Sequence, residues 1–365
     1  MKKSIEVEYW VIDREGELVE PGKLVEGSEQ RVEEFVEPLF ELKTTPCETT
    51  SELRTEFVER LDDALSVAGD LGKGLVPLGT PIDGGSIRRL RDERSRIQRR
   101  VLGEDFEYAK HCAGTHVHFE QRDATEQLNA LIALDPALAL LNSSPYFRGK
   151  RVAAGARAYA YRKKCYEQFP KHGQLWDYVE SVSEWNERLE HRFEDFVEAA
   201  IESGVDRRDV EANFSPDDVV WTPVRLRKEF PTVEWRSPDA ALPSEILRLA
   251  GEMNALIETL PHRNVRIEGE HGGVSDDRIT LPEFDQVWEY VDRAIHDGLE
   301  SKELRSYLGR MGFDVGSYRP ISARIDGRSS IDRDEACDLR LEYARELERD
   351  VERLLERNEN GRKRV

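Results

Sequence analysis

Residues 111–123, HCAGTHVHFEQRD, gather three of the chain's 8 histidines, a cysteine and a glutamate into one short run. Val117 and Phe119 favour extended backbone, so the run reads as a β-strand. Side chains alternate along a strand, which sets His116, His118 and Glu120 on one face and Thr115, Val117 and Phe119 on the other. The polar face either lies in water or lines a site.

Three further stretches place charge on one face of an otherwise apolar strand. In SIEVEYWVI (4–12), Glu6, Glu8 and Trp10 oppose Ile5, Val7, Tyr9 and Val11. Glu41 stands between Phe40 and Leu42, and Glu234 and Arg236 oppose Val233 and Trp235 in TVEWRS. Burying an unpaired carboxylate is costly, so such charges face water, pair with cations or bind metal. Several glutamates joined by one histidine suit a hard cation, and Mg²⁺ bridging carboxylates to substrate phosphates is the common case. There is no GxxxxGK[ST] and no GxGxxG, so a nucleotide here would be held by metal and arginine rather than by a glycine-rich loop.

The elements that must carry these residues follow from periodicity. A helix is expected over 49–72, where Leu53, Phe57, Leu61, Leu65 and Ala68 recur at helical spacing behind Thr50 or Ser51 as cap. A short helical segment is expected before the strand at Leu39 to Lys43, and GLVPLGTP reads as a strand running into a loop. The arginine-rich IRRLRDERSRIQRR reads as a solvated, partly amphipathic helix, residues 124–142 as an apolar helix, and 175–204 as one long amphipathic helix. Beyond residue 260 the pattern is mainly helical, ending in a frayed basic tail at 360–365. Strands and helices alternate irregularly, which favours α+β over a doubly wound sheet.

Composition narrows the partners. With 54 basic and 74 acidic residues the chain of 365 carries a net charge of −20, which argues against nucleic acid and against anionic membranes. Only 13 of the basic residues are lysine, and an acid-rich, lysine-poor surface fits a protein built for high salt. The opening MKKSIEVEYW has no apolar core of a signal peptide, and ALIALDPALALL is too short to span a bilayer. Cys47, Cys112, Cys165 and Cys337 lie far apart without a CxxC pair, which disfavours a zinc ribbon or a disulfide framework. A cytoplasmic protein acting on small molecules is expected, and a homo-oligomer is compatible with that.

Six stretches, in order over residues 4 to about 245, resemble one family. They are IEVEYWVID, PLFELKTTPCETTSELRTEF, LVPLGTP, CAGTHVHFE, LNSSPYFRG and VVWTPVRLRKEFPTVEWRSPDA. Together the chain is similar to the glutamate–cysteine ligase type 2 family, carboxylate–amine ligases of the glutamine-synthetase-like fold, here with a haloarchaeal character. The resemblance implies an α+β fold, an antiparallel sheet with a concave active-site face flanked by helices. It implies a catalytic domain over 1–260 with a mainly helical part, 261–365, packed on it. It implies metal binding by Glu6, Glu8, Glu41, Glu234 and His116, a phosphate contact from Arg236, and a phosphate or substrate contact from Arg225. His118 is a further nucleotide-side candidate, while His111 and Cys112 read as structural. ATP and Mg²⁺ would be the cofactors, L-glutamate and L-cysteine the substrates, and γ-glutamylcysteine, formed through a γ-glutamyl phosphate, the product. Two alternatives stand beside this: another amine as acceptor, or a zinc-dependent hydrolase built on the His116-x-His118 pair.

Overall fold

The alternation in Ser4–Ile12 becomes the central strand of the molecule. The computed structural model describes residues 1–85, 87–88, 93–228 and 230–362. Its strands are β1 (Lys3–Ile12), β2 (Arg31–Glu33), β3 (Leu39–Lys43), β4 (Gly74–Val76), β5 (Thr115–Glu120), β6 (Tyr146–Phe147), β7 (Lys150–Arg151), β8 (Val224–Arg227) and β9 (Thr232–Trp235), then β10 (Asn264–Ile267), β11 (Gly273–Val274) and β12 (Arg278–Leu281). Seven of them form one antiparallel sheet in the order β2-β3-β1-β5-β9-β8, with β4 paired to the far end of β1. Helices Thr50–Asp70, Ala124–Leu134 and Pro243–Thr259 pack against this sheet. Ile5, Val7, Val117, Phe119, Val233 and Trp235 enter the same core as Leu53, Phe57, Leu128 and Met253. The expected α+β class with an antiparallel sheet flanked by helices is the observed one.

Local signals explain where elements start. The first helix opens at Thr49, whose side chain accepts the Glu52 N–H while Glu52 reaches back to the Thr49 N–H, a reciprocal capping box. Ser181 caps the helix Val182–Glu202 by accepting the Glu184 N–H, so that helix begins at residue 182 and not at 175. The apolar helix from Ala124 ends at Leu134, because Pro136 has no N–H to continue it. The chain tightens there into a 3₁₀ segment, Asp135–Leu141.

One expectation fails and another is incomplete, both because the segments concerned are short. Val32, Phe35 and Val36 mimic helical spacing, yet the run is too short to hold a helix, and Arg31–Glu33 pairs with the edge of β3 instead. Beyond residue 260 the chain also carries a small sheet, β10-β12-β11, besides its helices. Its strands are only two to four residues long, with Ile279 and Leu281 buried, too short to show a clear period. The last helix runs Arg333–Arg362, and residues 363–365 of the expected tail lie outside the described residues. Of the arginine-rich run, residues 89–92 also lie outside them. Glu93–Leu102 is a helix that buries Ile97, Val101 and Leu102. All four cysteines are free and buried. No helix among the described residues is long and apolar enough to cross a membrane.

Candidate active site

Antiparallel register sets charged side chains into rows across one face of the sheet. Lys43, Glu6 and His116 form one row over β3, β1 and β5. Glu41 and Glu8 oppose each other in the next, and His118, Glu234 and Arg225 form a third over β5, β9 and β8. Trp10 continues the face of Glu6 and Glu8, but it is fully buried and its Nε1–H donates to the Leu78 carbonyl at 2.9 Å.

Two groups of potential ligands result, and they share Glu41. Glu6, Glu41 and His116 offer donor atoms within 4.8 Å of one another, as do Glu8, Glu34 and Glu41. The sequence reading missed Glu34. It follows β2 outside any strand, where period-2 reasoning does not reach, and only the fold brings it to Glu8. The Glu8 carboxylate also accepts the Gly114 N–H at 2.6 Å, tying β1 to the entry of β5.

The electrostatics fit a cation-binding cradle. Burial, reinforced by the Glu34 and Glu6 charges, holds the Glu41 carboxyl well above its ordinary range. Burial and the neighbouring Glu8 push Glu34 up to about 7. The Lys43 ammonium is the counter-charge this face supplies, 2.6 Å from Glu41 Oε2 and 3.6 Å from Glu6 Oε1. Although burial would raise Glu6, the His116 and His118 imidazoles that approach its Oε2 at 3.4 and 3.6 Å lower it. Burial, with Arg236 nearby, lowers His116 and keeps it neutral, so the ring offers one nitrogen lone pair. Its Nε2 is buried and has no hydrogen-bond partner. Such an orphaned buried donor set of oxygens plus one imidazole suits a divalent hard cation.

Glu234 stands outside both groups. Arg225 holds it with two hydrogen bonds, Nε to Oε2 at 2.6 Å and a terminal nitrogen to Oε1 at 3.3 Å. Arg227 and Arg236 approach it at 3.9 and 3.7 Å, and His116 Nδ1 lies 3.7 Å from Oε1. Burial would raise this carboxyl, but Arg225 and Arg236 bring it well below the usual range. The carboxylates therefore meet a bank of arginines along β8 and β9. His118 sends Nδ1 to the Thr232 hydroxyl at 3.2 Å. Among the described residues neither ligand group contains both His116 and His118.

The opposite face is tied down by a network that sequence reading passed over. Trp235 donates to Asp135 at 2.9 Å, and Arg162 closes on the same buried carboxylate at 2.7 Å. Ser237 bonds to both residues. Asp135, a charge inside the apolar run 124–142, is an anchor for β9.

Comparisons with known proteins bear on the fold and the family. The fold is shared with a bifunctional glutathione synthetase from Pasteurella multocida (TM-score 0.59, 14% identity, covering 95% of this chain and 52% of that one). It is shared too with a glutamate–cysteine ligase from Francisella tularensis solved in complex with AMP (TM-score 0.52, 11% identity, 97% and 91% covered). These likenesses define the class of fold. The chain belongs to glutamate–cysteine ligase family 2, whose profile matches residues 5–353. Among curated relatives, a protein named "Putative glutamate–cysteine ligase 2" from Chloroflexus aggregans is 29% identical over 271 residues, and one of the same name from Chloroflexus aurantiacus is 28% identical. The matched stretch covers 70% of this chain and 63% of those relatives.

Proposed function

We propose that this protein is an ATP- and Mg²⁺-dependent carboxylate–amine ligase that joins the γ-carboxylate of L-glutamate to an amine, with L-cysteine as that amine. The observation that carries the reading is the shared Glu41. It links two carboxylate groups, one completed by His116, on a sheet face whose neighbouring strands carry Arg225, Arg227 and Arg236.

Amide formation in water needs an activated acid. In this reading ATP passes its γ-phosphoryl group to the glutamate γ-carboxylate, releasing ADP. The amine then attacks the acyl carbon, and inorganic phosphate leaves as the C–N bond forms. The barrier is largely the approach of a carboxylate to a polyanion. Glu6, Glu8, Glu34, Glu41 and His116 are the residues that would hold Mg²⁺, joined by Glu234 once its pairing with Arg225 is exchanged, and the ion would supply charge neutralisation on the transferring phosphoryl group. Arg236 and Arg225 both lie beside Glu234 and in this reading would take phosphate oxygens, Arg225 by exchanging part of its pairing with Glu234. No protein nucleophile is required.

The test is turnover. Purified protein with MgATP should release ADP only when L-glutamate and an amine are both present, with cysteine the best amine. Arg236→Lys should lose most of that activity, because a point ammonium does not reproduce the guanidinium fork. ADP release without glutamate, or activity that needs Zn²⁺ and ignores ATP, would refute the proposal.

A further inference from the structure

Arg148 occupies an unusual position. In the β6–β7 hairpin Phe147 pairs with Lys150, leaving Arg148 and Gly149 as the whole loop. Both have positive φ, 49° and 77°. A loop of that shape favours Asn, Asp or Gly at its first position, because an L side chain there crowds its own backbone, at a cost of about 1–2 kcal/mol. Ile82 is the other non-glycine residue with positive φ among the described residues, and its carbonyl accepts the Gly149 N–H at 2.8 Å. The two strained positions hold each other in place.

The Arg148 side chain is exposed yet fixed by stacking. Its guanidinium carbon lies 5.3 Å from the Tyr108 ring centre and 5.6 Å from that of Phe147, and these rings stack on each other at 5.3 Å. Among the described residues it forms no ion pair. The aromatic platform packs on Cys112, Ala156 and Ala160, beside Tyr161. Tyr161 lies under the Arg157 guanidinium, which donates to the carbonyls of Ser237 and Arg236 and fills the space a Cβ on Gly114 would need. Gly114 in turn donates to Glu8. A continuous run of packed side chains thus connects the Arg148 platform to the Gly114 end of β5. Arg225 and Arg227 pair with Glu234 and Thr232 toward its other end. Arg225 is taken up by Glu234, whereas Arg148 has no carboxylate partner among the described residues.

Strain that the surrounding structure maintains, with an unpaired cation as its result, points to a ligand. We infer that Arg148 is a receptor for the α-carboxylate of an amino-acid substrate at this site, and that it selects amino acids over simple amides. The identity of that ligand rests on the ligase reading; the receptor itself rests on geometry. The planar fork can take a carboxylate through two hydrogen bonds, and its aromatic backing removes one side from water without neutralising the charge.

Arg148→Asn is the decisive variant, since Asn suits positive φ and should keep the hairpin. Equilibrium binding by calorimetry would compare L-glutamate with its α-amide, and L-cysteine with cysteinamide, on the native protein and on Arg148→Asn. The native protein should prefer the free acid over the α-amide in at least one pair by about 10- to 100-fold. Arg148→Asn should abolish that preference without lowering the melting temperature, and Arg148→Lys should restore only part of it. The pair that shows the effect identifies whether the acid or the amine substrate is held. A native protein with no preference in either pair, or a variant that keeps it, would overturn the inference. Preference and its loss without any ATP turnover would leave the receptor standing and remove the ligase reading.

Discussion

Glu41 and Glu8 face each other across β3 and β1, two carboxylates set directly opposite in an antiparallel pair. Like charges at such a position destabilise a sheet, and Glu41 is almost wholly buried. In the ligase reading the arrangement sacrifices stability for a cation site. Glu41→Gln should therefore raise the melting temperature of the metal-free protein. It should also reduce the stabilisation that added MgCl₂ confers on the native chain and lower turnover by about 10²–10³. Thermal melts with and without MgCl₂, run beside the ADP assay, would show it. A variant less stable than the native chain would mean that Glu41 serves the fold.

Glu234 behaves oppositely. Taken as a lone metal carboxylate, its replacement by Gln would leave the fold intact. Its bidentate pairing with buried Arg225 changes that expectation. Glu234→Gln leaves a guanidinium without its charge partner and should cost about 3–5 kcal/mol of unfolding free energy. The double variant Arg225→Leu/Glu234→Leu should recover much of the loss while remaining inactive. Urea denaturation measures both, and additive losses in the double variant would contradict the pairing argument.

The contrast between these two glutamates marks what could be read in advance. Period-2 alternation is enough to set Glu6, Glu8, Glu41, His116 and Glu234 on the faces they occupy, because one apolar face pins the register of every strand. Alternation says nothing about which carboxylate a cation will claim, so the Arg225 pairing of Glu234 was not legible. Glu34 and Arg148 escaped for another reason. Both sit in irregular backbone, after a three-residue strand and in a two-residue turn, where no period exists to read. The Asp135–Arg162 anchor joins residues far apart in sequence, and only packing reveals it.

His111, which belongs to neither ligand group, carries a pH prediction. Burial, with the Arg148 charge beside it, pushes its imidazole down to about 4 from an ordinary 6.5. The unfolded chain accepts a proton in this window that the folded one refuses. The stability His111 allows is thus full above pH 6.5 and is lost as the pH falls toward 4. At pH 5 the loss from this residue should be about 2 kcal/mol relative to neutral pH. His111→Gln removes the titration, so its unfolding free energy should fall less than that of the native protein between pH 7 and pH 5. Other carboxylates contribute equally to both proteins and cancel in the difference. Parallel declines would show that the ring is protonated within the fold.

The charge balance leads to a prediction about salt. A surplus of 20 acidic groups spreads over 16302 Å² of accessible surface, and self-repulsion of that size opposes the compact state in dilute buffer. Surface ion pairs such as Arg207–Glu194 and Arg324–Glu346 would be weakened by screening, but each contributes little. Relief of repulsion should therefore win, and unfolding free energy should rise steadily from about 0.1 M to about 3 M KCl, where the screening length drops to about 3 Å or below. Circular dichroism melts across that series provide the measurement. Equal stability at both ends would remove the high-salt reading of this surface and leave the site on β1, β3 and β5 untouched.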